Sequence, residues 1–548
     1  MRSTLSRREL LGAFLSAPVV SAACRKDVPP PIAGSLLGQS DHVGHKLREY
    51  AGGPWPKERT KLSVIVVGGG PSGLSAGWRL AKNGVKDYAI FDLEPRVGGT
   101  SQFGTDGVVP YPWGAHYIPI PRADNRALST LLQEMGAIET GKDGRFVGKE
   151  ELLIRAPEER VFHVGRWYEG LYLRVGASES DLEELDRFQH AIDDLVRFRG
   201  ADGRRAFSIP LETSTTDETI RALDRISMAA WLREKGFSSK RLLWMIDYAC
   251  RDDYGLRLDQ TSAYAGLFYY VARVDQPGEE SADFLAWSNG NGALVEHLAK
   301  GQADRLHTDA LVLDVNLTAQ GVEALVLERA STLDAKLIAY EAPHAILAVP
   351  KFIAKRVVRQ LRDAPMPYLA GSSFGSWMVA NVHLSGRPFS RGFPLAWDNV
   401  FYDSPSLGYV VATHQALRDN GPTVFTYYYP LTDDDPARAR QKLFSVSHHE
   451  WTDIVLAELG RGHPGIAPLV DRIDVWRWGH AMARPTPGRF FSAGRDEIKK
   501  PLGDRLWFAH ADSSSIALFE EAQYWGVNAA EEILLRQSKL TDAMFLKG

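Results

Sequence analysis

Cysteine is almost absent: Cys24 and Cys250 are the only two in 548 residues. Two isolated thiols exclude a disulfide framework and a thiolate metal site, and no metal is expected. An excess of charge is missing too. Lys and Arg number 64 against 68 Asp and Glu, a net charge of −4, which gives no electrostatic footprint for a nucleic acid. Beyond the N-terminus no apolar run is long enough to span a bilayer. There is no internal repeat and no low-complexity block. What remains is ordinary for a soluble globular chain, 44% hydrophobic and 24% charged, at a length that needs two or more lobes. The 14 tryptophans suit aromatic-lined pockets and large cores alike.

The N-terminus reads as a twin-arginine export signal over residues 1–24. Arg2, Arg7 and Arg8 make it basic, a short apolar run follows in "ELLGAFL", and small residues close it at "SAAC". Cys24 stands where a lipid anchor is attached in lipoproteins, although Ser21 occupies a position that is usually aliphatic. Lipidation of Cys24 and simple cleavage near Ala23 both stay open. Twin-arginine export carries folded proteins, so it suits a chain that binds a large cofactor before leaving the cytoplasm. The expected partner is the export machinery. The expected location is the periplasm, free or as a membrane-anchored lipoprotein.

Residues 25–60 hold "DVPPPIAG" and "AGGPWPKERT", a tether or wrapping arm. Then Leu62–Val67 reads as a buried strand, Gly68–Gly73 as a turn, Pro71–Asn83 as a helix and Tyr88–Asp92 as a second strand: a βαβ unit. The middle is helical, with Leu182, Leu185, Phe188, Ile192 and Leu195 at helical spacing. Residues 305–345 change to strand periodicity around Gln320-Gly321, "YEAPHAILAVP" (340–350) reads as one buried strand, and strand-like segments dominate 375–430. The last sixty residues return to strand then helix. The expected fold is α/β: a Rossmann-type lobe from both ends of the chain with an α+β substrate lobe inserted. The divisions are 61–120, 281–355 and 486–548 for the cofactor lobe, 121–280 for helical and 356–485 for strand-rich parts of the substrate lobe.

Gly68-Gly69-Gly70-Pro71-Ser72-Gly73 fits G-x-G-x-x-G between a strand and a helix. Gly68 permits the tight turn, Gly70 lets the backbone approach a pyrophosphate, and Gly73 lets helix and strand pack closely. The helix start at Pro71 and Ser72 offers free N–H groups and the positive dipole end to phosphates. Asp92 ends the next strand at the spacing of a ribose acceptor, and its charge would repel a 2′-phosphate.

Further motifs follow: "EPRVGGTS", "WGAHYI", and near the C-terminus "LWFAHAD" and "EEAQYWGVNAAEEI". With the glycine turn they resemble the FAD-dependent amine oxidase superfamily, which includes monoamine and polyamine oxidases, protoporphyrinogen oxidase and the phytoene desaturase type. The resemblance implies a two-lobe architecture holding FAD noncovalently, since the cysteine that links flavin in monoamine oxidases has no counterpart in "RPTPGRFFSAG". It places Arg96, Gly99 and Thr100 in the second glycine motif over the FAD pyrophosphate. Val312 falls at the adenine, Asp512 near the flavin phosphates, and Gly526 with Ala529-Ala530 in the closing helix. "AWSNGNGALVEHLAK" resembles the family's glycine-rich helix opener. No second dinucleotide fingerprint points to a separate NAD(P)H domain.

The pattern also departs from the family. Many members carry a lysine bonded through water to flavin N5; aligning "FGSWMVANVHL" puts Val379 there, and Leu518 or Phe519 falls at the aromatic-cage position. Candidates for the chemistry are His116 and Tyr117, along the flavin face, and Trp478, a pocket wall. His116 is either a proton carrier or a structural hydrogen bonder. His510 reads as a packing residue. Trp397, Asp398, Asn399, Tyr409 and His414 either line a substrate pocket or decorate a sheet. "YYYP" (427–430) reads as strand core. The acids of "DYACRDDYG" (247–255) read as a solvated loop or helix cap, with a cationic substrate or a metal as the sharper alternatives. The implied function is oxidation or desaturation of a small organic substrate, possible amines included, with hydride passing to flavin N5 and on to oxygen or a quinone. A flavin-dependent isomerase or desaturase without amine oxidation, and an FAD-binding partner subunit without turnover, are the two alternatives.

Overall fold

A computed structural model describes residues 32–50, 52–279, 283–432, 435–492 and 494–545. The export signal and Cys24 lie outside these residues. Val64–Val67 is fully buried, as a strand covered on both faces must be. It pairs in parallel with Tyr88–Phe91 on one side and His344–Leu347 on the other. Leu306–His307 and Leu506–Phe508 complete a five-stranded parallel sheet. Helix Pro71–Lys82 starts with proline, whose missing N–H costs nothing there, and packs against helix Phe519–Arg536. The contact is close because Gly526 has no side chain: a Cβ would lie 2.1 Å from the Ser72 carbonyl oxygen. Both chain ends thus build one lobe. A second layer, Ala310–Leu317, Val322–Glu328 and Lys336–Ala342, runs antiparallel beside it.

The substrate lobe is organised by an eight-stranded sheet with Phe374–Leu384 and Val470–Ala483 at its centre. Strand alternation sorts their side chains. Met378, Ala380 and Val475 face one core, under helices Pro436–Ser445 and His448–Gly462, while Trp377, Val379 and Trp478 face another. Helices Glu179–Arg197, Lys240–Tyr254 and Ala263–Val271 form the helical part around Phe188, Trp231 and Phe268. Serine caps their starts at Ser178, Ser239 and Ser262, each accepting a first-turn N–H.

Three expectations need correction. "YEAPHAILAVP" is two strands in two sheets, because Pro343 cannot donate to a ladder: Lys336–Ala342 ends before it and His344–Leu347 begins after it. The division at residue 121 is misplaced: helix Arg126–Glu134 buries Leu128, Leu131 and Leu132 in the core of the Rossmann-type lobe. Nor is 121–280 largely helical throughout, since Glu159–His163 and Arg166–Glu169 are the outer strands of the eight-stranded sheet. The arm is anchored at both ends of its course: Leu36–Gly38 adds a parallel strand beside Val470–Ala483, and Thr60–Lys61 one beside Lys336–Ala342.

Candidate active site

The glycine turn is built as a cradle. Gly68 has φ +102°, and its N–H donates to the Phe91 carbonyl at 2.8 Å. A Cβ on Gly73 would lie 1.8 Å from Gly68 O, so only glycine lets the helix sit on the strand there. Gly70 differs. Its backbone is ordinary, and a Cβ would meet nothing closer than Gly99 Cα at 3.9 Å. Gly70 and Gly99 thus face one another, with a Cβ on Gly99 meeting Gly70 Cα at 3.4 Å and the Pro71 ring at 3.5 Å. Gly99 takes φ +54°, and Gly98 N–H donates to Gly69 O at 2.9 Å, joining the two glycine motifs. Helix Pro71–Lys82 has no side-chain cap, which leaves its positive end for an anion. Asp92 accepts from Gly69 N–H at 2.6 Å and Glu94 N–H at 2.8 Å, fixing its carboxylate beside the turn; burial pushes its pKa up to about 6.

Other expected cofactor residues are placed as follows. Ser72 Oγ donates to Ala509 O, so its hydroxyl is engaged and only its backbone faces outward duty. Arg96 is exposed, with its guanidinium 4.7 Å from the Phe103 ring centroid. Val312 is buried in the antiparallel layer, opposite Val326. Asp512 is turned toward Lys351: its Oδ2 accepts Lys351 N–H at 2.7 Å and its Oδ1 lies 3.4 Å from Nζ, both side chains almost fully buried. His510 is not simply packed: its Nδ1 accepts Asp512 N–H at 3.1 Å and lies 3.1 Å from Asp512 Oδ1.

A cavity of ≈ 150 Å³ lies between the two lobes. Thr100, Gly114, Ala115, His116, Tyr117 and Asn291 line it from the Rossmann-type lobe. The sheet contributes Trp377, Val379, Tyr428, Trp478, Ala481 and Met482, the helical part Asp252, Asp253 and Arg273, and the start of helix Phe519–Arg536 contributes Leu518, Phe519 and Glu520. Gly114 is required for the close approach of its segment, since a Cβ would sit 2.3 Å from Thr100 O. A wider, open groove between Asp181 and Tyr402 lies on the helical part, where Glu184 is taken up by Ser238 and Ser239.

His116 sits in a nest of rings, 4.9 Å from Tyr428, 5.1 Å from Tyr117 and 5.4 Å from Trp397. Burial pushes its pKa down to about 4, so it is neutral at physiological pH. Burial also raises the Tyr117 phenol far above its ordinary range. Trp478 is a wall: its indole N–H donates to Trp113 O at 2.6 Å.

Several sequence readings fail here. Tyr428 is not mere strand core; it lines the cavity and donates to Gly114 O at 2.9 Å. Asp252 and Asp253 belong to the last turn of helix Lys240–Tyr254 and line the cavity, not a solvated loop. Segment 394–415, left open between pocket lining and sheet decoration, takes the second. Arg160 donates to Asn399 and to Tyr409, Tyr248 donates to Asp398 at 3.1 Å, and His414 bonds to Arg155 O at 2.9 Å.

The fold and the cradle define the class: a two-lobe protein whose Rossmann-type lobe closes a cavity against a sheet. Residues 66–135 match the family model of the NAD(P)-binding Rossmann-like domain. No curated protein matches the chain. Among solved structures it is similar to putrescine oxidase bound to putrescine, at 20% identity over 87% of this chain and 100% of that one, with a TM-score of 0.64. Cyclohexylamine oxidase from Brevibacterium oxydans IH-35A is 14% identical over 87% and 100%, with a TM-score of 0.62. A fatty acid isomerase from P. acnes that produces CLA is 16% identical over 87% and 98%, with a TM-score of 0.60. The two-lobe fold expected from the sequence is thus shared with these structures over 87% of the chain.

Proposed function

We propose that the chain is an FAD-dependent oxidoreductase that oxidises or desaturates a small organic substrate. The observation that carries this reading is the union of cradle and cavity: Thr100 and Gly114 connect the glycine motifs to a buried, ring-lined chamber. The residues suited to hold FAD are Gly68, Gly70 and Gly73 with the uncapped helix start at the pyrophosphate, Asp92 at the ribose, and Gly99 opposite Gly70. Bound FAD supplies a two-electron hydride acceptor. The chain's own part is to bind and orient the substrate and to exclude water. Trp377, Tyr428, Trp478 and Phe519 form the walls, and neutral His116 is packed in place by its three neighbouring rings. Oxygen or a quinone is the electron acceptor in this reading, and twin-arginine export, with or without a lipid on Cys24, delivers the folded protein to the periplasm.

A second reading, an isomerase or desaturase without amine oxidation, draws support from Val379 in the cavity wall and from the isomerase among the similar folds. Anaerobic mixing with candidate substrates tests both. Bleaching of the flavin by a substrate supports oxidation. Substrate conversion with no net bleaching supports isomerisation. Neither bleaching nor conversion across the panel leaves a partner subunit without turnover.

A further inference from the structure

One end of the eight-stranded sheet gathers exposed apolar side chains and arginines on loops that the register brings together. Leu384 ends its strand opposite Thr423 on one side and Val470 on the other. The loop that leaves Leu384 carries Phe389, 70% exposed, and the loop that leads into Thr423 carries Leu417, 61% exposed. Arg387 ties the two loops, donating to Thr423 Oγ1 at 2.9 Å and to the Arg418 carbonyl. Ser385 N–H donates to Leu469 O at 2.8 Å and fixes the first loop beside the start of Val470–Ala483. Arg391 and Arg418 are exposed and have no ion-pair partner among the described residues. Asp419, the only acid in 385–392 and 413–422, is held by Arg155 at 2.8 Å. The arm arrives at this same end. Leu36–Gly38 runs parallel to Val470–Ala483, and Ala33 pairs with Arg472, so Ile32 stands at the Val470 end of the sheet. Cys24 lies eight residues before Ile32, a reach of at most about 29 Å, with Arg25 and Lys26 directly after it.

We propose that this end of the sheet docks on an anionic phospholipid bilayer, with Phe389 and Leu417 entering the headgroup boundary and Arg391 and Arg418 meeting lipid phosphates. Exposed apolar tips flanked by cations match such an interface: rings and aliphatic groups leave water while guanidinium groups stay at the polar level. Each arginine close to an anionic leaflet adds attraction that falls off within a Debye length. The reach from Cys24 lets a lipid on that residue and the two loops touch one membrane together, and two weak signals of this kind make stable binding where one does not. The surface is separate from the cavity. Trp377, on the cavity wall, lies seven residues back from Leu384 on the same strand, about 23 Å away. The docking is thus independent of what the cavity binds.

The test uses the chain from residue 24 onward with Cys24→Ser, which carries no lipid, so that any affinity belongs to the folded surface. Sedimentation with vesicles of phosphatidylglycerol and phosphatidylethanolamine is expected to capture it, and vesicles of phosphatidylcholine alone to bind it more weakly by about 10-fold or more. Phe389→Ser is expected to weaken capture about 10-fold or more, and Arg391→Gln about fivefold, with the melting midpoint unchanged because both side chains are exposed. A fluorophore locates the contact. Cys250 is buried, so a thiol label goes to Asn420→Cys, in the loop of Leu417, or to Leu333→Cys, fully exposed on the antiparallel layer of the other lobe. A quencher carried by the lipids should dim the first label and spare the second. No capture by the anionic vesicles, capture unchanged by Phe389→Ser, or equal quenching of the two labels overturns the docking surface.

Discussion

Two alanine substitutions one helical turn apart separate a glycine that serves the fold from one that serves a ligand. Gly70 has φ −75° and ψ −178°, a backbone open to any residue, and its Cβ would have 3.9 Å of clearance to Gly99 Cα. Removing glycine's freedom in the unfolded chain is worth about 0.4–1 kcal/mol in favour of alanine. Losing glycine at the N-cap costs a similar amount. The two offset, so Gly70→Ala should leave the flavin-free protein within about 1 kcal/mol of wild type, a shift in melting midpoint of about 2–4 °C at most. The methyl group would, however, stand where a pyrophosphate must approach the backbone. Gly73→Ala instead drives a Cβ to 1.8 Å from Gly68 O and 3.3 Å from Ala348 Cβ. Strand and helix must part, a cost above the roughly 1–3 kcal/mol of ordinary overpacking. The assays are the thermal midpoint of flavin-free protein and FAD retained per chain by absorbance. Gly70→Ala should fold and hold less than about one tenth of the wild-type FAD, as an affinity loss of 1.4 kcal/mol or more requires. Full FAD retention by Gly70→Ala would refute the reasoning, because the bare backbone at Gly70 and Gly99 would then have no ligand to admit.

His116→Asn should leave anaerobic flavin reduction within a few-fold of wild type, because a neutral ring packed among aromatics is a structural element; stopped-flow slowing of about 10²–10⁴-fold would make it a general base instead. Asp252→Asn should raise the thermal midpoint above pH 7. A carboxyl whose folded pKa is raised from its ordinary value to about 7 contributes stability only at low pH and loses it as pH climbs through 7, so the gain from asparagine should vanish near pH 4; melting curves across that range check the sign. Lysine at both Arg7 and Arg8 keeps the charge of the export signal but should leave precursor in the cytoplasm, and normal delivery of that variant in a fractionation assay would remove the twin-arginine reading.

The βαβ unit was legible because its signals are local: four fully buried residues, a glycine turn, a proline-led helix and a second strand lie within thirty residues. The strand break at Pro343 was hidden, because two short apolar runs separated by one proline look continuous until each is assigned to its sheet. Of the cavity, His116, Tyr117, Val379, Trp478, Leu518 and Phe519 were legible, while its charged wall was hidden for a different reason. Asp252 ends one helix, Arg273 follows the next and Glu520 opens the last, and each looks like an ordinary charged residue until these segments converge. Tyr428 and Tyr427 are neighbours of identical type, and only sheet register separates them: Tyr428 faces the cavity, while Tyr427 faces the opposite core. The polar density of 394–415 misled because its side chains satisfy one another and Arg160 rather than a ligand.

The central claim is that the cradle holds FAD without a covalent link. Acid precipitation of purified protein, with mass spectrometry of the supernatant and absorbance of the pellet, tests it most directly. The account predicts a yellow supernatant containing FAD at about one per chain and a colourless pellet. A colourless supernatant, or flavin that stays with the pellet, would contradict it.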